Sequence, residues 1–572
     1  MKRPKGNIFF MVFLSFLLFS IAFAIRIYKV DSTPSGILID EASIGYNAYS
    51  VLKTGREDEW GISYPLVFKA FGDQKLPLYV YLVVPFIKYF GLSALSVRLP
   101  SVLAGSLLPL VVFFLLLELG FKKRIGFFGG LITALSPWTI ILSRFGYETN
   151  IGLLFFTSGI LFSFISLRKK NVLVPILGGI FFGLTLYSYV AYRFITPFIV
   201  FSFLFVKNKK NTIITKTKLI LMSSFLFTLF PLTSVFFAPQ STARFNQAGF
   251  SYSSGLKMEI DENRNYCSRS LPKIICYAVS NKLVFDARSY LYRFVDTFSP
   301  DYLFMTGESQ EPSLNINNFG LFYVWFLPFY ILGIFALISR FRNKHLNPID
   351  VFVITGLFVA VTPCLLVGSP HKLRLSALFP FITIVILYGV SLFETFLKNK
   401  ILKRIYFIIM YVTSFISVFF FLSLFLTIHV QKYETTYRTY VPKLMKYLKT
   451  YRPDTQIYIR SITEGIIYYA FVNKIEPSFY QKNVIRNLPD SIGFAHSSDL
   501  ANIHIIEEDI FVLGCKLKKE NANALYVSSE NKKEIPNNAK KIIYSENGVD
   551  TLAIIYELNK INENDLHCIK TE

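Results

Sequence analysis

Apolar runs near the roughly 20 residues that a helix needs to cross a ~30 Å hydrocarbon core recur along this chain and leave little room for a soluble fold. They cover about residues 8–28, 95–119, 125–142, 151–167, 172–187, 194–206, 219–237, 321–339, 351–367, 375–395 and 405–428, or about eleven candidate spans. Residues 194–206 are short, so that helix either begins near Tyr189 or dips into the membrane. Only 17% of the chain is charged and 53% is hydrophobic. A soluble protein carries about 25% charge, so an aqueous surface this poor in it would expose apolar patches that monomers do not tolerate. The net charge of +23 would suggest nucleic acid in a soluble chain, so the positions of the cations decide what it means.

Alternate connections hold the basic clusters. They are Lys2, Arg3, Lys5; Lys122, Lys123, Arg124; Arg168, Lys169, Lys170; Lys207, Lys209, Lys210, Lys216, Lys218; Arg340, Arg342, Lys344; and Lys398, Lys400, Lys403, Arg404. The positive-inside rule makes these connections cytoplasmic and places the N-terminus inside. Residues 30–94, 238–320 and 430–572 are then extracytoplasmic, and nucleic acid is not needed to explain the charge. Ala22-Phe23-Ala24 has the small-x-small form of a cleavage site, so a removable signal is the alternative for the first span; the remaining topology is the same either way.

The expected fold class is an α-helical polytopic membrane domain over residues 1–429, followed by a small extracytoplasmic α/β domain over 430–572. In the latter, Thr435–Tyr451 reads as an amphipathic helix with a restart at Pro442. Gln456–Arg460, Ile510–Lys516, Ala524–Val527 and Thr551–Tyr556 read as strands, with turns at Pro536-Asn537-Asn538 and Glu546-Asn547-Gly548. Cys267 with Cys276 and Cys515 with Cys568 are either disulfides or free thiols, and no zinc spacing is present. His496, His504 and His567 read as surface or packing residues. Gly126/Gly130 and Gly179/Gly183 have the spacing of close helix packing.

The first outer loop differs from an ordinary connection. Asp40-Glu41 follows the apolar triplet Ile37-Leu38-Ile39 and opens a helix, and Gly72-Asp73-Gln74-Lys75-Leu76-Pro77 leads into the apolar stretch 82–90. Both halves read as helices lying along the membrane surface. Asp40 and Glu41 also suit a helix N-terminus on structural grounds alone. Yet Arg144 with Glu148, Arg193, and His371 with Lys372 and Arg374 recur at the other outward edges, and ionisable groups there tend to be functional when they face inward. A carboxylate among cations suits group transfer from a lipid-linked phosphate. The cations stabilise the departing phosphate and the carboxylate takes a proton from an attacking hydroxyl. There is neither a Walker A pattern nor a Rossmann fingerprint to hold a nucleotide.

Over roughly residues 8–428 the chain resembles the GT-C membrane glycosyltransferases, specifically glycosyltransferase family 39, which includes protein O-mannosyltransferases and lipid A aminoarabinose transferases. Asp40-Glu41, the Lys75-Leu76-Pro77-Leu78-Tyr79 stretch, Ser143-Arg144 with Glu148, and His371 with Arg374 carry the resemblance. It implies a polyprenyl-phosphate sugar donor, Asp40 as general base with Glu41 beside it, and Lys75 on the lipid phosphate. It further implies that Arg144 and Glu148 orient the first loop or the donor, and that Tyr189, Arg193, His371 and Arg374 contact the donor phosphate. An acidic residue precedes the phosphate lysine in the aminoarabinose transferases and can bind a metal. Here it is Gln74, which leaves a divalent metal open, with Asp73, Asp58 or Glu59 as substitutes.

The expected function is inverting transfer of a sugar to a hydroxyl acceptor on protein, lipid or glycan, at the outer face of the cell membrane. A lipid or solute transporter without transferase chemistry is the alternative; it predicts internal repeats and midplane charges that the sequence does not display. The long loop 238–320 reads equally as a lid, an acceptor-binding element or a cover, with Arg244, Arg288 and Arg293 solvated.

Overall fold

The computed structural model describes residues 8–34, 36–71, 73–168, 171–206, 215–233, 254–308, 311–316, 318–366, 368, 370–460, 462, 464–488, 495–507, 523–529, 539–545, 548 and 551–560. The strand expected at Ile510–Lys516, the Cys515/Cys568 pair, His567, Arg244, Pro536-Asn537-Asn538, Glu546-Asn547 and the basic residues 2–5, 169–170 and 207–210 lie outside the described residues. Contacts divide the chain into two units. One comprises residues 1–26, 103–143 and 148–421, the other residues 27–102, 144–147 and 422–572.

The first elements in chain order are helices α1 (Ile8–Ile27) and α2 (Ile39–Thr54), strands β1 (Phe68–Ala70) and β2 (Asp73–Lys75), and helices α3 (Pro77–Phe90), α4 (Ala94–Glu118), α5 (Lys123–Leu135), α6 (Pro137–Arg144) and α7 (Glu148–Ser166). Among the described residues, seven helices are long and apolar enough to span a bilayer: α1, α4, α7, Val324–Arg342, Pro348–Leu366, Ser376–Phe396 and Lys400–Lys432. The run at 125–142 is not one straight span, because α5 and α6 meet at a 49° bend. Pro137 explains the break: it has no N–H to continue the ladder. The runs at 172–187 and 194–206 become helices Leu173–Thr185 and Val190–Leu204, about 20 and 22 Å long at 1.5 Å per residue and so short of the full hydrocarbon thickness.

A broken helix in an apolar unit leaves carbonyls that no water can satisfy. Here Arg26 of α1 donates to Thr133 O (3.4 Å) and Ala134 O (2.9 Å), and Tyr323 Oη donates to Leu135 O (2.7 Å). Arg26 is fully buried, so its charge serves the bend. Close helix packing accounts for the glycine pairs. A Cβ on Gly179 or Gly183 would collide with Ser224 or Thr228 of the helix Lys216–Leu229. Several basic connections pair with acids at helix ends: Arg168 with Glu118 (2.6 Å), Lys122 with Glu394 (3.0 Å), and Arg340 with Asp350 (2.7 Å). The long loop forms helices Ser254–Cys267, Lys273–Val279 and Lys282–Thr297, and Cys267 and Cys276 are disulfide-bonded. Arg293 was expected in solvent but donates to Leu365 O (2.8 Å) and is half-buried.

Among the described residues, the second unit is built on a seven-stranded sheet. Its strands are β3 (Gln456–Arg460), β4 (Val484–Arg486), β5 (Ser497–Leu500), β6 (Ile503–Ile506), β7 (Ala524–Ser528), β8 (Ala539–Tyr544) and β9 (Thr551–Glu557), in the order β4-β5-β6-β3-β7-β9-β8. Central β3 is parallel to β6 and β7, with Ile457 opposite Ile503 and Leu525, and the outer pairs are antiparallel. Ile457 and Ile459 alternate into the core, the period-2 pattern of a strand. Thr435–Tyr451 is not one helix. Glu434–Tyr437 and Val441–Leu448 are separated by Arg438 in the left-handed region, and Pro442 opens the second helix. His496 pairs with Glu464, and His504 bonds Asp499 (2.6 Å) and Gln456 (2.8 Å).

The first-loop helix α2 is not a surface helix. Every residue from Glu41 to Val51 is buried, because Ala42, Ser43, Gly45, Ala48 and Ser50 are small enough for neighbours to close on all sides. Gly45 is required there: a Cβ would lie 2.5 Å from Phe471 and 2.7 Å from Val97.

Candidate active site

Asp40 and Glu41 occupy the second and third positions of α2, where exposed N–H groups favour negative charge. Consecutive helical residues point about 100° apart, so the two carboxylates separate. Glu41 turns inward and is saturated. It receives Arg98 Nε and Nη2 at 2.8 Å each, Gly146 N at 2.8 Å and, reaching back to the helix N-cap, Leu38 N at 3.0 Å. Arg98 is also fully buried and donates its remaining hydrogens to Val30 O, Pro34 O and Gly36 O. This two-point pairing of planar groups is the geometry in which a buried ion pair best offsets its desolvation.

Asp40 faces the other way. Its side chain is 41% exposed, and Oδ1 lies 2.6 Å from Lys75 Nζ. Lys75 is placed by the hairpin β1–β2, in which it pairs with Phe68 across the strands, and the chain then enters α3 at Pro77. Proline is favoured at that first helical position, where its missing N–H costs nothing. The lysine stem is buried and its ammonium meets the accessible carboxylate.

Arg144 donates to Tyr28 O (2.8 Å), Lys29 O (3.3 Å) and Thr33 O (2.9 Å), with its guanidinium 5.4 Å from the centre of the Phe425 ring. It therefore fixes the backbone that leads from α1 to α2. Asp58 and Glu59, raised above as metal substitutes, are buried in the loop after α2. Asp58 Oδ1 accepts from Trp60 N (2.9 Å) and Ile62 N (2.8 Å), an Asx-type turn, and Glu59 N donates to Asn47 Oδ1 (3.1 Å). Burial pushes the Glu59 carboxyl up to about 8, although Arg486 opposes the shift. Among the described residues no three His, Cys, Asp or Glu side chains could hold a metal, and Lys75 already faces Asp40. Among the described side chains the donor set does not fit a metal centre; that of Asp73 lies outside them.

The remaining sequence candidates lie in the first unit. Glu148 opens α7, Tyr189 is the N-cap of helix Val190–Leu204, and Arg193 Nε donates to Leu186 O (3.1 Å). His371 Nε2 lies 3.4 Å from Glu311, and Arg374 is half-buried in the same segment. Between them Lys372 is buried: its ammonium donates to Leu314 O, its amide to Glu308 (3.0 Å), and its carbonyl accepts from Trp138 Nε1 (3.0 Å). Burial lowers the Lys372 ammonium to about 8, with Glu308 and Glu311 acting in the opposite sense. Sequence reasoning missed Arg98 and Arg26. The signal was available in both cases: a lone arginine inside an apolar run, which must be internally paired.

The family signature described as dolichyl-phosphate-mannose-protein mannosyltransferase matches residues 74–235. No curated protein sequence matches the chain. Among solved structures, the chain is similar to the oligosaccharyltransferase AglB of Archaeoglobus fulgidus in complex with an inhibitory peptide and a dolichol-phosphate. The likeness covers 97% of this chain and 77% of that one at 13% identity and a TM-score of 0.50. Against the same archaeal enzyme tethered to an acceptor peptide, 82% of this chain matches at 12% identity and a TM-score of 0.47, and the match spans only 63% of that enzyme's length. ArnT of Cupriavidus metallidurans bound to undecaprenyl phosphate matches at 11% identity and a TM-score of 0.47, over 96% of this chain and 97% of that one. Residues 74–235 thus carry a mannosyltransferase-family segment, and over nearly its whole length the chain has the GT-C fold of the archaeal membrane protein.

Proposed function

We propose that the chain transfers a sugar from a polyprenyl-phosphate donor to a hydroxyl acceptor at the outer face of the cell membrane, with inversion and with Asp40 as general base. The observation that carries this reading is the division of labour in one helical turn. Glu41 is locked to Arg98, while Asp40 is accessible and pairs with the Lys75 ammonium. Lys75 holds Asp40 until a donor phosphate arrives, then moves to the phosphate and frees the carboxylate. The acceptor oxygen bonds to the anomeric carbon as its proton passes to Asp40 and the bond to the phosphate oxygen breaks. Polyprenyl phosphate departs with that electron pair, stabilised by Lys75.

Glu41, Arg98 and Arg144 position this turn and do not touch the reacting atoms. The roles of Glu148, Tyr189, Arg193, His371 and Arg374 toward the donor rest on the family resemblance. The pairing of Arg168, Lys122 and Arg340 with acids at helix ends supports gathering those connections at the cytoplasmic side. Incubating the purified protein with labelled polyprenyl-phosphate sugars and candidate acceptors tests the proposal. A new glycosidic product that disappears in Asp40→Asn supports it. Movement of the labelled lipid across a bilayer without a new bond would establish the transporter instead.

A further inference from the structure

The loop helix Lys282–Thr297 carries its amphipathicity the wrong way round for an aqueous surface. Its outward stripe is Val284, Ala287, Arg288, Leu291, Tyr292 and Val295, at i, i+3, i+4, i+7, i+8 and i+11, which is one face of an α-helix. Leu291 and Tyr292 are 64% and 70% exposed, whereas Asp286 and Ser289 on the opposite face are half-buried. The neighbouring helix Lys273–Val279, tied by the disulfide to Ser254–Cys267, continues the same property, with Ile274 80% exposed.

What lies beside this face is given by the span Pro348–Leu366. Arg293 donates to Leu365 O at the end of that span, and Phe294 stacks on Phe358 with ring centres 5.5 Å apart. Phe358 is itself turned outward on the apolar span. It sits eight residues before Leu366, or about 12 Å along the helix axis. The loop helix therefore abuts an outward, apolar span surface below the span's end, at the depth of lipid and not of bulk water.

We propose that residues 282–297 form an interfacial helix whose Leu291–Tyr292–Val295 face is embedded in the leaflet at the Leu366 end of that span, the outer leaflet on the positive-inside assignment. Arg288, alone among the apolar residues of the stripe, reaches from its stem to the phospholipid headgroups, as basic side chains do at this depth. The occupant of the face is phospholipid, and the helix anchors the long loop to the membrane. Docking depends on the spans and not on the transfer reaction, so a protein without transferase activity is still a fair sample.

The full-length protein in phosphatidylethanolamine and phosphatidylglycerol nanodiscs, carrying an environment-sensitive fluorescent amino acid at Leu291 or, separately, at Tyr292, tests this. Both side chains are outward, so the label replaces no packing. The expected result is quenching of about twofold by phospholipid spin-labelled high on the acyl chain, and iodide quenching several-fold weaker than at the exposed Leu488. Iodide quenching equal to that at Leu488 would overturn the proposal. Shielding from iodide without lipid quenching would also overturn it, by showing that a protein surface, a second copy or an acceptor, covers the face. In Leu291→Glu, lipid quenching at Tyr292 should fall.

Discussion

The second unit contains the dipeptide Asp-Glu twice, at residues 40–41 where α2 begins and at 58–59 in the loop that follows it, and the two copies have opposite fates. At 40–41 the glutamate is buried against Arg98 and the aspartate is left accessible beside Lys75. At 58–59 both are buried: Asp58 ties a turn, and among the described residues no arginine pairs with the Glu59 carboxylate, Arg486 donating instead to its backbone carbonyl (3.1 Å). A buried charge is held ionised by a two-point partner and is driven toward neutrality without one. Of the two dipeptides, the first alone leaves a carboxylate accessible.

The sharpest way to break this contrast is Asp40→Asn. Turnover should fall by about 10²–10⁴-fold, the usual contribution of a general base, with melting temperature nearly unchanged. Asp58→Asn should leave turnover alone, and equal losses in the two variants would remove the distinction. Next in size is Arg98→Met, which strands Glu41 without its partner. It should cost about 3–5 kcal/mol of stability, and the double variant Arg98→Met, Glu41→Leu should recover part of that loss in thermal unfolding of the detergent-solubilised protein.

Glu59→Gln sharpens the comparison through pH. With a folded value near 8 against an ordinary 4.5, the folded state keeps its proton while the unfolded state releases it. The stability it confers is complete below about pH 4.5 and is lost as pH rises through about 8. Glu59→Gln should therefore match the parent at pH 4.5 and exceed it by about 3–5 kcal/mol above pH 8. Lys75→Ala should raise the KM for the polyprenyl donor about tenfold, the worth of one hydrogen bond to a charged group, with little effect on folding. The smallest effect is that of Asp58→Asn on stability, about 1 kcal/mol for a turn bond whose acceptor is weakened and not removed.

Much of the membrane architecture was legible, because spans announce themselves by length and apolarity. The β-strands at 456–460, 524–528 and 551–557 were legible, the first from period-2 alternation and the other two as short, β-prone apolar runs that are buried along their length. Asp40 could be singled out from its position after an apolar triplet, and Lys75 from the family resemblance. The partner of Glu41 could not, since Arg98 is 57 residues away and nothing local connects them. The burial of α2 was also hidden. A run of alanine, serine and glycine reads as weakly amphipathic, and only the chains that close around it decide that it is core.

By itself the sequence determined that this chain crosses a membrane more than once and which connections carry the positive charge. Those properties follow from the cost of exposing polar groups to lipid, a cost that each segment meets on its own. Only the tertiary structure decided which of two adjacent carboxylates is an anchor and which is accessible, that Arg26 caps a broken helix, and that an apolar helix face in the long loop points outward beside a span. These depend on partners brought together from distant segments, and the free energy of a charge or an apolar stripe is set by what surrounds it after folding.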